Sequence, residues 1–202
     1  MDEKILEKAT DLFMKEGFKV VTMDEIASSM GISKKTIYQY YANKNILVEK
    51  SAHFIAEKIL EEIDLIYSEQ KNPIEELLLV RNKIARLLSD DKTAGVQQLK
   101  KYYPEIHSKL KNNQKCKMEL CVKNNIERGI ELGLFRNDID IWFIIKLHHN
   151  AMGFLMEDDE IYTDLKSFNE YQNKYIEYHI RGIGTEKGIK LLNELKQNLH
   201  EK

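Results

Sequence analysis

The chain has 202 residues, 43% of them hydrophobic and 32% charged, with 31 Lys and Arg against 33 Asp and Glu for a formal net charge of −2. That length suits one ordinary domain, or a small domain joined to a larger one, and allows a core that needs no disulfide or metal staple. The charge balance excludes a globally basic protein, so any polyanion site must be a local patch. No run approaches the ~18 apolar residues that a membrane span needs. The opening MDEKILEKATDLF lacks the apolar core of a signal peptide. A cytoplasmic protein without membrane contact is therefore expected. Cys116 and Cys121 fit neither a zinc motif nor a redox pair and are expected as free, buried thiols.

With 2 prolines, 9 glycines and no useful Val/Thr/Ile alternation, the pattern predicts an all-α fold. The first helix spans about Glu3 to Glu16, with Ile5, Ala9, Leu12 and Phe13 on one face and Gly17 as its stop. Thr22, three residues before Glu25, has capping-box spacing, and Val21 with Ile26 forms a hydrophobic staple. That places a short helix over Met23 to Met30, ended by Gly31. Ser33 caps another through about Tyr41, and Asn43 caps a long one from Lys44 to Tyr67 with an isoleucine stripe.

Asn72-Pro73 opens the next helix, whose buried face is read as Leu77, Val80, Ile84 and Leu87. DDKTAG interrupts it. A shorter helix runs to Pro104, and helical pattern then continues to Leu132, with Gly133 as a left-handed cap. Asp138 is read as the cap of a helix from Ile139 to Met156 that is apolar nearly all round, so more than one side must be covered. The acidic stretch Glu157 to Glu160 reads as a solvated loop. Helices over Leu165 to Ile183 and Thr185 to His200 complete the chain.

The segment GISKKTIYQYYANK, Gly31 to Lys44, stands out: its charged residues are Lys34, Lys35 and Lys44, interleaved with three tyrosines. Helix, glycine turn, helix is the layout of a helix-turn-helix, with Ala27 small enough for close packing and Ile26, Ile32 and Ile37 as glue. Ile37 and Tyr41 turned inward leave Lys34, Lys35, Tyr38 and Gln39 facing out. Lysines there can reach guanine edges or phosphates, and glutamine can pair with adenine. Tyr38 and Tyr40 offer phenolic donors to phosphate oxygens. Lys44 and Thr22 each stand where a helix begins, beside free backbone N–H groups that favour an anion. Any two helices around a glycine can mimic the motif, and the same face suits a protein partner. The agreement of caps, turn and charge favours nucleic acid.

VTMDEIASSMGISKKTIYQYYANKNILVEK, with the preceding helix ending in Gly17-Phe18, closely resembles the DNA-binding domain of the tetracycline-repressor (TetR) family of bacterial transcription regulators, from about Ile5 to Lys50. The resemblance implies an N-terminal three-helix bundle with a helix-turn-helix over residues 1–45, and a larger helical domain over 46–202 that dimerises and binds a small effector of unknown identity. It implies double-stranded operator DNA as partner, most often under repression. By position, Thr22 matches a phosphate-contacting cap; Lys34, Lys35, Thr36 and Gln39 match groove-facing positions; Tyr38, Tyr40 and Lys44 match backbone contacts. Tyr41 stands where the family usually has a core Phe. Beyond Lys50 the likeness thins to YYPEIHSKL and NIERGIELGLFRNDID. The helices Ile139–Met156 and Tyr171–Ile183 match the pair that forms the family's homodimer interface.

Other candidates have plainer readings. His148 and His149 point about 100° apart on a helix and cannot share a metal, so they read as core or interface residues. Tyr102-Tyr103 could line a pocket or simply pack. Asp138 and Asp140 read as caps rather than metal ligands. No catalytic set has mechanistic spacing and no glycine-rich phosphate loop occurs. Neither an enzyme, a cofactor nor a metal is expected.

Overall fold

The computed structural model describes residues 1–87, 93–157 and 165–200, and their regular structure is helical, with one isolated bridge between Phe135 and Gly184. The helices are α1 (Asp2–Glu16), α2 (Met23–Met30), α3 (Lys34–Tyr38), α4 (Lys44–Ser68), α5 (Pro73–Leu87), α6 (Thr93–Tyr102), α7 (Pro104–Glu131), α8 (Ile141–Glu157), α9 (Leu165–Ile183) and α10 (Glu186–His200). The expected all-α class holds. The leading half of DDKTAG and all of the acidic loop after Glu157 lie outside the described residues. The chain divides into two compact units. One comprises Met1–Glu61 with Leu87–Gln114, the other Glu62–Arg86 with Lys115–Lys202.

The first unit is built on Ile5, Ala9, Phe13, Phe18, Val21, Ile26, Ile37 and Leu47, all buried. Phe13 and Phe18 stack with centroids 5.0 Å apart. The capping box is complete: the Glu25 N–H donates to Thr22 Oγ1 at 3.2 Å, and the Thr22 N–H donates back to the Glu25 carboxylate at 2.7 Å. Val21 and Ile26 are both fully buried, as a staple requires.

Helix α2 ends at Gly31 with φ 65° and ψ 30°, the left-handed region. The Ile32 N–H donates to the Ala27 carbonyl at 3.0 Å and the Gly31 N–H to that of Ser28 at 3.2 Å, the paired bonds of a Schellman cap. A Cβ at Gly31 would meet nothing within 4 Å, so dihedral angle rather than space demands glycine. Two residues on, Ser33 caps α3: its Oγ accepts the Thr36 N–H at 3.1 Å. This helix is shorter than its sequence suggests, ending at Tyr38 because the next N–H groups tighten onto the carbonyls of Thr36 and Ile37. Helix α6 also packs on α1 in this unit. Their backbones approach so closely that a Cβ on Gly95 would sit 2.8 Å from Met14 Cα.

The second unit buries Ile74, Leu77 and Leu78 of α5 with Ile126, Phe135, Ile145, Ile176 and Ile180. The buried face of α5 is therefore rotated from the expected one, leaving Val80, Ile84 and Leu87 only half-buried. The rotation brings Glu76 fully inside, where Arg128 Nη1 donates to it at 2.7 Å and Asn125 Nδ2 at 3.0 Å. A carboxylate without those donors would be costly to bury. Helix α8 starts at Ile141, and its cap is Asp140, whose carboxylate accepts the Phe143 N–H at 3.0 Å. Asp138 instead lies 3.6 Å from Arg136 Nε. The Cys116 thiol is exposed, against expectation, because it lies on the outer side of α7; Cys121 is half-buried, and both are free.

His148 pairs with α9 rather than with its neighbour His149. Its Nδ1 lies 3.1 Å from the Tyr175 hydroxyl and its ring 4.7 Å from that of His179. Burial, reinforced by repulsion from His179 and His149, pushes His148 down to about 3. Burial alone lowers His179 to about 4. No group of three or more His, Cys, Asp or Glu among the described residues is placed to hold a metal.

Two outcomes follow from this packing. Gly31→Ala should cost about 1–2 kcal/mol in denaturant unfolding, and Gly31→Asn distinctly less, because Asn tolerates the left-handed region. The two histidines are neutral when folded and titrate near their ordinary value, about 6.5, when unfolded. Their contribution is complete above that value and is lost as pH falls toward 4. Unfolding free energy measured between about pH 7 and pH 5 should fall by up to ~1.4 kcal/mol per pH unit for each histidine. The His148→Gln/His179→Gln pair should flatten that slope.

Candidate nucleic-acid interface

The capped turn fixes α3 with Ile37 buried against the first core and its opposite side facing solvent. Lys34, Lys35, Tyr38, Gln39 and Tyr40 are all exposed, Tyr38 and Tyr40 at 43% and 46%. Tyr41 is buried, and its hydroxyl sits 3.5 Å from the Asp2 carbonyl. Three phenols in four residues thus divide cleanly, two outward and one inward.

The lysines differ in readiness. Lys34 Nζ donates to Asp24 at 2.6 Å, and that bond raises its pKa. Asp24 lies outside the Gly31–Lys44 window, so the local charge is less positive than that window alone implies. Both side chains are open to water, where such a pair is weak and exchanges readily for another anion. Lys35 has no ion pair among the described residues. One turn from Gln39, it shares that residue's face. Thr36 is half-buried, and its hydroxyl lies 2.8 Å from Ser33 Oγ, so it serves the cap first.

Lys44 begins α4, whose Asn43 cap accepts the Ile46 N–H at 3.0 Å. Its ammonium donates to the Lys19 carbonyl at 2.9 Å and stands 6.0 Å above the Phe13 ring. Partial burial, then repulsion from the Lys19 ammonium, lowers its pKa, and Glu25 only partly offsets them. An ammonium has three donors, so two remain for an outside acceptor. The role of Lys19 was invisible to helix patterning, since it lies in the turn between α1 and α2, 25 residues away. Thr22 is already engaged. Its hydroxyl donates to Glu25 at 2.9 Å while accepting from that residue's N–H. These bonds lower the Glu25 pKa and keep a carboxylate at the start of α2. An anion there must first displace it.

The arrangement offers amide and ammonium groups from one helix face, phenols beside them and a second ammonium at the start of the next helix. That set can read base edges and hold phosphates. No helix of the described residues is long and apolar enough to cross a membrane.

The family model described as bacterial regulatory proteins, tetR family, matches residues 5–50. An uncharacterized HTH-type transcriptional regulator, YvaF of Bacillus subtilis (strain 168), is 33% identical over 104 residues, 51% of this chain and 54% of that protein. The biofilm operon icaADBC HTH-type negative transcriptional regulator IcaR of Staphylococcus epidermidis is 37% identical over 51 residues, 25% of this chain and 28% of that protein. The matched stretches thus span about half of the first relative and about a quarter of the second. A solved TetR transcription regulator from Haloarcula marismortui shares the fold, with a TM-score of 0.76 at 16% identity, over 91% of this chain and 98% of that one. These relatives are transcriptional regulators rather than enzymes. Residues 5–50, which hold the helix-turn-helix, match the tetR family of bacterial regulatory proteins, and the chain shares the fold of the solved TetR regulator.

Proposed function

We propose that the protein is a cytoplasmic, homodimeric repressor that binds a palindromic operator and is modulated by a small effector. The exposed, capped α3 face carries this reading. Residues 1–45 are the reading segment, and residues 46–202 dimerise and take the effector. Lys35 and Gln39 read base edges, joined by Lys34 once it leaves Asp24 and by the methyl of Thr36. Tyr38, Tyr40 and Lys44 hold phosphates, and Thr22 joins them by exchanging Glu25 for a phosphate oxygen. The description of IcaR as a negative regulator supports repression.

Pairing is supported by apolar surface that water would not leave bare. Helix α8 buries Ile145 and Leu155 but exposes Trp142, Phe143, Leu147 and Phe154, and α9 exposes Tyr171 and Tyr178. Trp142, Phe143 and Tyr178 are 57%, 62% and 71% exposed. Exposed aromatic surface on two packed helices fits a second copy of the same pair. In the second unit, Gln172 is fully buried with both amide atoms lacking a hydrogen-bond partner, which supports an interior polar site for the effector. An effector acts only through its differential affinity for the conformations that do and do not fit the operator.

Sequences selected from a random duplex pool should give a palindrome. Gln39→Ala should relax preference at one position per half-site, by about 1–3 kcal/mol. Lys44→Ala should instead weaken all sequences alike and lower the salt slope by about 2 for the dimer. An unchanged preference with Gln39→Ala would contradict the base-reading role. Trp142→Glu with Phe143→Glu should yield a folded monomer by sedimentation, with operator affinity reduced at least tenfold.

A further inference from the structure

The Lys19 loop and the end of α6 form a feature that the helix-turn-helix does not use. Lys19 Nζ lies 5.1 Å from the centroid of the exposed Tyr102 ring, and Lys101 Nζ lies 5.5 Å from the same centroid. The loop is clamped from both sides: the Lys19 N–H donates to Gln98 of α6 at 2.8 Å, and its carbonyl accepts from Lys44 at 2.9 Å. The Tyr103 hydroxyl reaches the Phe18 carbonyl at 3.4 Å. Lys44, Lys19, Tyr102 and Lys101 therefore form one continuous run, starting at a proposed phosphate contact and ending on α6.

The charge in this run is unbalanced. Several other lysines are paired with carboxylates, as Lys34 is with Asp24, Lys83 with Glu62, Lys146 with Glu119 and Lys174 with Glu170. Neither Lys19 nor Lys101 has an ion pair among the described residues. The Lys19 and Lys44 ammoniums instead repel each other, and that repulsion helps lower Lys44. Like charges held close together on a clamped loop favour an anion beside them. The negative end of α6 favours a cation at Lys101 but does not require one at Lys19. An aromatic face holds an exposed ammonium by about 0.5–1 kcal/mol, which limits its wandering and reduces the ordering cost when a phosphate arrives.

We infer that Lys19, Tyr102 and Lys101 form a second phosphate-binding strip on the first unit, engaging duplex backbone that flanks the half-site read by α3. This rests on the DNA-binding reading above and extends it to a helix outside the helix-turn-helix. The strip carries no sequence information. Its effect is a longer footprint and a steeper salt dependence. Because α6 also packs on α1, any rearrangement of α6 alters these contacts directly.

The test uses one duplex selected by the full-length wild-type chain, in two lengths: trimmed to its protected core, and extended by about 8 base pairs at each end. Lys19→Ala/Lys101→Ala removes two ammoniums per chain and keeps the loop's backbone bonds, so its thermal midpoint should match wild type. Wild type should show a steeper dependence of log K on log salt with the extended duplex than with the trimmed one. The double variant should lose that excess, a fall of up to ~3.6 for a dimer at ~0.9 per contact, with the selected consensus unchanged. Lys19→Arg/Lys101→Arg should restore it. An unchanged slope in the alanine variant, with Gln39→Ala still shifting preference, overturns the strip and leaves the α3 reading intact. Absence of salt-sensitive duplex binding by wild type overturns both.

Discussion

The left-handed turn at Gly31 is the constraint on which the rest depends. Two hydrogen bonds and one positive φ close α2 and redirect the chain, so that Ile37 enters the core and Lys35 and Gln39 do not. A helix as short as α3 has little stability of its own. Its direction is imposed by the turn before it, the Ser33 cap at its start and the inward Ile37 and Tyr41. Rigid placement matters because base-edge hydrogen bonds tolerate little displacement, whereas phosphate contacts tolerate more.

Electrostatics then decides which of the exposed groups is available. Lys34 and Thr22 are each engaged by a neighbouring residue, Asp24 and Glu25. Both bonds are at the surface, where water and incoming phosphate compete on nearly equal terms. Lys44 is different: its bond to the Lys19 carbonyl orients the ammonium without neutralising it. A chain with a net charge of −2 can thus carry a local cationic surface. In the second unit the opposite solution appears. Glu76 is buried, and Arg128 and Asn125 satisfy it, which ties α5 to α7 through specific bonds rather than packing alone.

Much of this was legible in the sequence because it is local. Thr22 with Glu25, Gly31, Ser33, Asn43, Asn72 and Gly133 signal helix ends through contacts within five residues, and each end fell where expected. The family likeness over the first fifty residues added the roles that spacing alone left open. What escaped has large sequence separation. The Lys19–Lys44 bond, the Lys34–Asp24 pair, the buried Glu76 and the union of α6 with the first unit depend on which helices meet. The face of α5 was misread for a related reason: Leu77 lies on either stripe, and only the position of Arg128 shows that Glu76 belongs inside. The cap expected at Asp138 lies instead at Asp140, because the helix starts at Ile141 rather than Ile139.

The central claim is that two identical α3 faces meet one duplex together. Hydroxyl-radical footprinting of a selected operator, with the protein-to-duplex ratio measured by sedimentation, tests it most directly. The account predicts two chains per operator and two symmetric protected patches whose centres lie about 34–36 Å apart along the duplex. A single chain per duplex, or one unbroken patch without two-fold symmetry, would contradict it.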